Sequence, residues 1–191
     1  MKKLIFGIGN NDANYAVSPR VGGIYKRCPF YMSWQNMFMR CYSDKYHAAT
    51  AYSGCSVAKE WHSFMAFRDW MRKQDWQGKE LDKDVLVEGN KVYSAATCVF
   101  VDKTTNHLLL NNASARGGLP VGVTWKEGRY QASVRSGGRL EHLGLFDTPA
   151  EAHAEWRKAK AVMFWQASKK QSDPRVVAAL QTRSLKLIAG I

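Results

Sequence analysis

Residues 119–165 read LPVGVTWKEGRYQASVRSGGRLEHLGLFDTPAEAHAEWRKAKAVMFW, and this stretch decides the fold. Three short runs, GVTWKE, RYQASVR and RLEHLGLF, are separated by Glu127-Gly128 and by Ser136-Gly137-Gly138. Turn residues at that spacing predict a three-stranded antiparallel meander. Side chains alternate between the faces of a strand. Val123, Trp125, Tyr130, Ala132, Val134, Leu143 and Leu145 therefore form an apolar set, opposite Thr124, Lys126, Arg129, Gln131, Ser133 and Arg135. Thr148, Pro149 and Glu151 stand at the N-cap, N1 and N3 positions of a following helix, which has the form of a capping box. Its alanines permit close approach to the sheet. One face is then covered by the helix, and the other, polar and basic, faces water.

Moving outward, the tail from Asp173 to Ile191 reads as a further helix beginning at Pro174, with no partner evident from sequence. Residues 113–119 hold Ser, Arg and two glycines and read as a linker. Upstream, Ser33 to Tyr42 sets Trp34, Met37 and Cys41 on one helical face, with Ser33 as N-cap. A second helix is expected from Ser56 to about Gln74 with Trp61, Phe64, Phe67, Trp70 and Met71 as its stripe. Glu80 to Val87 and Thr97 to Val101 read as strands, and Asp102 to Asn112 as a helix carrying Leu108, Leu109 and Leu110. The GIGNNDAN of residues 7–14 has no apolar period, so residues 1–24 are expected to be a loosely attached arm.

Lys and Arg number 28 and Asp and Glu 16, and 28 − 16 gives a formal charge of +12. Apolar residues make up 46% of the chain, which excludes a disordered basic tail. A surplus of that size suits a polyanion, an acidic protein surface or an anionic membrane surface. The longest apolar runs, such as Ala161 to Trp165, fall far short of the ~20 residues of a bilayer span. With no secretory signal in its first residues, the chain is expected in the cytoplasm. Cys28, Cys41, Cys55 and Cys98 form no CxxC pair and are expected as reduced core thiols; the alternative is a partial zinc site of Cys28, Cys41 and Cys55 with a histidine such as His47.

Residues 119–165 resemble the plant ethylene-response-factor (APETALA-type) DNA-binding domain, through Gly122-Val123, RYQASVR, HLGLFDT and AEAHAEW. The resemblance implies a sheet that lies in the major groove of duplex DNA and reads bases from its exposed face. Carried over by position, that family's contacting arginines fall on Val121, Thr124, Lys126 and Arg135, its acidic contact on Ser133 and a sheet tryptophan on His142. The DNA-binding residues expected are Thr124, Lys126, Arg129, Gln131, Ser133, Arg135 and His142.

WQNMFMRCYS, YSGCSVAKEWHSFMAFRDW and LDKDVLVEGNKVYSAATCVFVDKTTNHLLL resemble the phage and homing-type HNH endonucleases. That resemblance implies a strand, strand and helix clasping one Mg²⁺ or Mn²⁺ for phosphodiester hydrolysis. Asp82 and Asp84 are the catalytic candidates, and Asp84, Asn106 and His107 the metal candidates. The family's first-strand histidine has no counterpart, and Cys98 stands where its bracing Asn would be. Ordinary roles compete at each position: solvated carboxylates paired with Lys83 or Lys91, a surface His107, and a packing role for His62.

The expected whole is an α+β protein. An HNH-like domain at 25–113 precedes a sheet-and-helix domain at 117–168 and a C-terminal helix at 173–191. Double-stranded DNA is the expected partner, with no membrane. A DNA-binding regulator that does not cut, and a phage factor acting on a host protein, are the other two functions expected of such a chain.

Overall fold

The structure is a computed structural model that describes residues 4–47, 52–110 and 118–191. Helices and strands mix as an α+β fold with a three-stranded antiparallel sheet and a C-terminal helix. Met1–Asp102 and Lys103–Ile191 form two compact units. No helix among the described residues is long and apolar enough to cross a membrane.

In the first unit, β1 (Arg20–Val21) and β2 (Ile24–Tyr25) form a small hairpin ahead of α1 (Pro29–Tyr42) and α2 (Asp44–His47). Helix α1 begins one turn earlier than its sequence suggested. Pro29 supplies the fixed φ of a first helical position, so Cys28 is the N-cap and Ser33 lies inside the helix. Its expected face is buried, with Trp34, Met37 and Cys41 joined by Phe38.

The expected helix over 56–74 is three separate pieces. They are β3 (Ser56–Val57), a 3-10 turn at Lys59–His62 and α3 (Phe64–Met71). Ser63 causes the break. Its backbone is extended, and its hydroxyl accepts a hydrogen bond from the Ala66 amide, which caps a new helix. Asp12 completes that cap, taking bonds from Ser63 Oγ (2.6 Å) and from the Met65 amide (2.9 Å).

Residues 4–19 are accordingly no loose arm. Asn10 donates to the His62 carbonyl at 2.7 Å and accepts from the Phe64 amide at 3.0 Å, Ala13 is buried, and Ile8 and Val17 rest on the core. Trp34 donates its indole N–H to the Trp61 carbonyl at 2.7 Å, so the largest buried ring leaves no orphan donor.

The rest of this unit is extended and short. β4 (Glu80–Asp82) pairs antiparallel with β6 (Val99–Val101), and β5 (Val92–Tyr93) lies parallel to β3. The strand expected to run to Val87 stops at Asp82, because the carboxylate of Asp82 draws the chain into a turn.

The second unit opens with α4 (Lys103–Leu109) and contains β7 (Val123–Lys126), β8 (Arg129–Ser136) and β9 (Arg139–Phe146) in that sheet order. Asn111, Asn112 and residues 113–117 of the expected linker lie outside the described residues. Both hairpin turns have two central residues at positive φ, Glu127-Gly128 (49° and 85°) and Gly137-Gly138 (55° and 82°). Those angles match the right-handed twist of tightly connected strands.

Helix α5 (Pro149–Ser168) has the expected capping box. The Thr148 hydroxyl accepts from the Glu151 amide at 3.2 Å, while the Glu151 carboxylate accepts from the Thr148 amide at 3.1 Å. Val123, Ala132 and Ala152 form the seam between helix and sheet, flanked by Tyr130, Leu143 and Phe146. Gly122 lies against Trp156 so closely that an added Cβ would stand 2.0 Å from the indole.

Helix α6 (Pro174–Ala189) starts as its sequence suggested, with Asp173 as N-cap, and its partner is α5. Ser184 donates to the Ala161 carbonyl at 2.8 Å inside that helix pair. At the far end of α6, the Arg157 guanidinium lies over Gly190. A cation at that end complements the carbonyl-rich terminus of the helix.

Candidate nucleic-acid interface

The sheet has one face against α5 and one open face. Register fixes which side chains share the open one. Lys126 pairs with Arg129, Thr124 with Gln131 and Gln131 with Leu145, Ser133 with His142, and Arg135 with Leu140. Neighbours across strands project to the same side, so these four rows form a continuous surface of basic, polar and apolar side chains, with Asp147 beside Arg129 at its edge. All seven residues expected to contact DNA lie on it.

One expected apolar residue changes sides. Alternation alone assigns Leu145 to the helix face with Leu143, but a β-bulge between the Ala132 and Ser133 positions inserts Leu143 as an extra residue in β9. Leu143 packs on the core, and Leu145 turns to the open face at 42% exposure. Leu140, on the same face, is 62% exposed. Gly144, with φ of 148° inside the strand, was the signal in the sequence for this irregularity. Trp125 keeps its expected face without being buried; it is 57% exposed and meets the Tyr130 ring edge-on at 4.8 Å.

The charges on this face differ in what already holds them. Arg129 is engaged by Asp147, with Nε at 3.1 Å and a terminal nitrogen at 3.0 Å from the same carboxylate oxygen. Arg135 donates to the Gly138 carbonyl at 3.3 Å, which splays it along the second hairpin. An exposed pair such as Arg129–Asp147 contributes little and exchanges readily for a phosphate.

The carboxylates expected to do chemistry have structural work instead. Asp82 Oδ1 accepts from the amides of Asp84 (2.6 Å) and Val85 (2.8 Å), and burial holds the Asp82 carboxyl above the usual carboxylate range. Asp84 Oδ2 lies 2.6 Å from Lys83 Nζ, a buried ammonium that also donates to the Asn90 carbonyl at 2.8 Å. Asn90 donates back to the carbonyls of Lys83 and Val92 at 3.0 and 2.7 Å. The result is a cross-braced loop over 82–92.

An ammonium inside this arrangement opposes a hard dication, which needs a shell of anionic and neutral oxygens. With Lys83 Nζ beside Asp84, the loop residues do not fit Mg²⁺ or Mn²⁺. Asn106 and His107 lie on α4, in the other compact unit from Asp82 and Asp84. His107 is exposed.

Among the described residues no group of three or more His, Cys, Asp or Glu is placed to hold a metal ion. Cys28, Cys41, Cys55 and Cys98 are free thiols, three of them buried, and the side chain of His47 lies outside what is described. Burial pushes the Cys41 and Cys98 thiols up to about 12, so both stay protonated and unreactive near neutrality. His62 takes its packing role, with Nε2 3.1 Å from the Val57 carbonyl and its ring against Phe38.

The first unit also has a cleft of about 370 Å³ between α1 and β4, lined by Met32, Asn36, Arg40, Trp76, Lys79 and Glu80 among others. Lys79 is held there by Asp75 at 2.5 Å.

No family model matches the chain, and no match was found among curated proteins or solved structures.

Proposed function

We propose that this protein binds duplex DNA through the open face of its three-stranded sheet. The observation that carries the proposal is the composition of that face. Lys126, Arg129 and Arg135 frame Gln131, Ser133 and His142, with the Asp147 carboxylate beside Arg129 at the edge of the face. Cations of this kind supply phosphate contacts, while amide, hydroxyl and imidazole groups between them reach base edges. Residues 117–170 hold 9 basic and 5 acidic side chains, so the domain carries 9 − 5 = +4 of the formal charge.

The proposed role is occupancy of DNA rather than its hydrolysis. Support comes from the first unit, where Asp82 and Asp84 brace a loop together with a buried lysine. Supercoiled plasmid incubated with Mg²⁺ or Mn²⁺ is expected to remain intact. Nicking by the wild type that disappears in Asp84→Ala would restore a hydrolytic role.

Binding is tested by anisotropy of a labelled duplex over a range of salt. Affinity is expected to fall steeply, and Arg135→Ala to reduce the log–log slope by about one. Salt-insensitive binding, or none at low salt, would overturn the proposal.

A further inference from the structure

We infer that the middle row of the open face, Thr124, Gln131 and Leu145, reads A·T base pairs and so gives the protein a sequence preference. This rests on the duplex-binding reading above and names what that surface recognises.

The row is a product of register. Thr124 pairs with Gln131 across β7 and β8, and Gln131 with Leu145 across β8 and β9. Strands lie ~4.8 Å apart, so three neighbouring side chains span roughly 10 Å, within the ~12 Å width of a major groove. Without the bulge at Leu143, Gln131 would face Gly144 and Leu145 would point to α5. The bulge thus exchanges a glycine for a leucine beside the one carboxamide on this face.

The chemistry of the row is specific. Adenine presents the major groove with the N7 acceptor and the N6 amino donor, and thymine with the O4 acceptor and a C5 methyl group. A glutamine amide offers one donor and one acceptor, the complement of adenine. Leu145 on one side and the Thr124 methyl on the other offer apolar contacts to thymine methyls.

Guanine is instead read by a guanidinium or ammonium. The middle row contains neither. Lys126 and Arg129 form the neighbouring row at the first hairpin, and Arg135 occupies the row of Leu140 and bonds to Gly138. The exposure of Leu145 also has no use in a surface that meets phosphates alone.

The test is selection of duplexes from a random pool with the full chain, followed by affinities on the recovered sequence. Adjacent A·T pairs are expected to be enriched, and exchange of a recognised A·T for G·C to weaken wild-type binding by from about fivefold to about a hundredfold. Gln131→Ala should lose that discrimination while keeping the salt slope, and Gln131→Arg should shift the preference towards guanine. Replacing thymine with uracil removes only the methyl group; it should weaken the wild type by about twofold to fivefold and leave Leu145→Ala unaffected.

An unbiased pool, or a preference unchanged in Gln131→Ala and indifferent to uracil, would overturn the row's role and leave salt-dependent duplex binding standing. Absence of duplex binding by the wild type at low salt would overturn the binding reading itself, and the row with it.

Discussion

The two compact units solve the problem of a small core in opposite ways. In Met1–Asp102 bulk does the work: Trp34 meets Phe38 and Phe64 with ring centroids 4.8 and 5.6 Å away, and Trp61 meets Phe67 edge-on at 5.1 Å. In Lys103–Ile191 the seam between sheet and helix is made of absences. Ala132 and Ala152 keep the seam thin, Gly122 leaves room for the Trp156 indole, and Tyr130 and Phe146 stand at the edges. The large-ring core tolerates broken, irregular chain, because each ring reaches several segments. A small-residue seam demands regular elements held at close distance. Surface follows from the same difference, since among the described residues it is the regular sheet that offers a flat face for a long, periodic ligand.

The comparison breaks most readily at its largest side chain. Trp34→Ala removes a fully buried indole and is expected to destabilise the first unit by about 3–5 kcal/mol. Chemical denaturation followed by residue-specific NMR should show that loss while the signals of the sheet stay native. The counterpart is Gly122→Ala. The added methyl meets Trp156, and φ of 79° disfavours any side chain, so a cost of about 2–3 kcal/mol is expected in the second unit alone.

Helix starts sharpen the contrast at smaller energies. Thr148→Ala is expected to cost about 1 kcal/mol, because its capping box is local. Asp12→Ala should cost about the same at α3, although Asp12 stands 51 residues from the Ser63 it bonds. A shift in the midpoint of urea denaturation reads both.

The smallest effect is one of sign. Cys41 and Cys98 have folded values pushed up to about 12, above the usual range for free thiols, so the native state holds protons the unfolded chain releases. Stability of the first unit is full below the unfolded thiol value and declines as pH rises towards 12. Lys160 is desolvated to about 8, so over pH 8 to 10.5 the unfolded state binds more protons and the second unit gains stability. Thermal scans from pH 8 to 10.5 should move the two units apart by a few degrees, and Lys160→Met should abolish the rise in the second.

How much of this was legible depended on where the deciding interaction lay along the chain. The meander, the Thr148 capping box and the start of α6 at Pro174 are set by neighbours within a few residues, and all were readable. The same holds for the basic face, where alternation alone collects Lys126, Gln131 and Arg135. Leu145 was misplaced because a bulge adds one residue and reverses the alternation; a glycine inside a strand was its only trace. The helix over 56–74 failed for a different reason. Its aromatic period is real, but the cap at Ser63 is completed by Asp12, and periodicity carries no information about so distant a residue. Asp82 and Asp84 were singled out by the resemblance to HNH endonucleases, and that resemblance carries no information about the local turn in which they bond the Asp84 and Val85 amides and Lys83.

The clasp between Asn10–Asp12 and His62–Met65 also orders events in time. Closing it requires the chain to bring together residues 51 apart, whereas among the sheet, α5 and α6 the Ser184–Ala161 and His153–Val121 contacts span 23 and 32, and α4 is joined to them by the longer Gln171–Thr105 contact of 66. Loop-closure entropy must be met before such a contact gives anything back, and folding slows as contacts become less local. The sheet with α5 and α6 is thus expected to reach its native state first and to present its open face while the aromatic unit is still searching for its clasp.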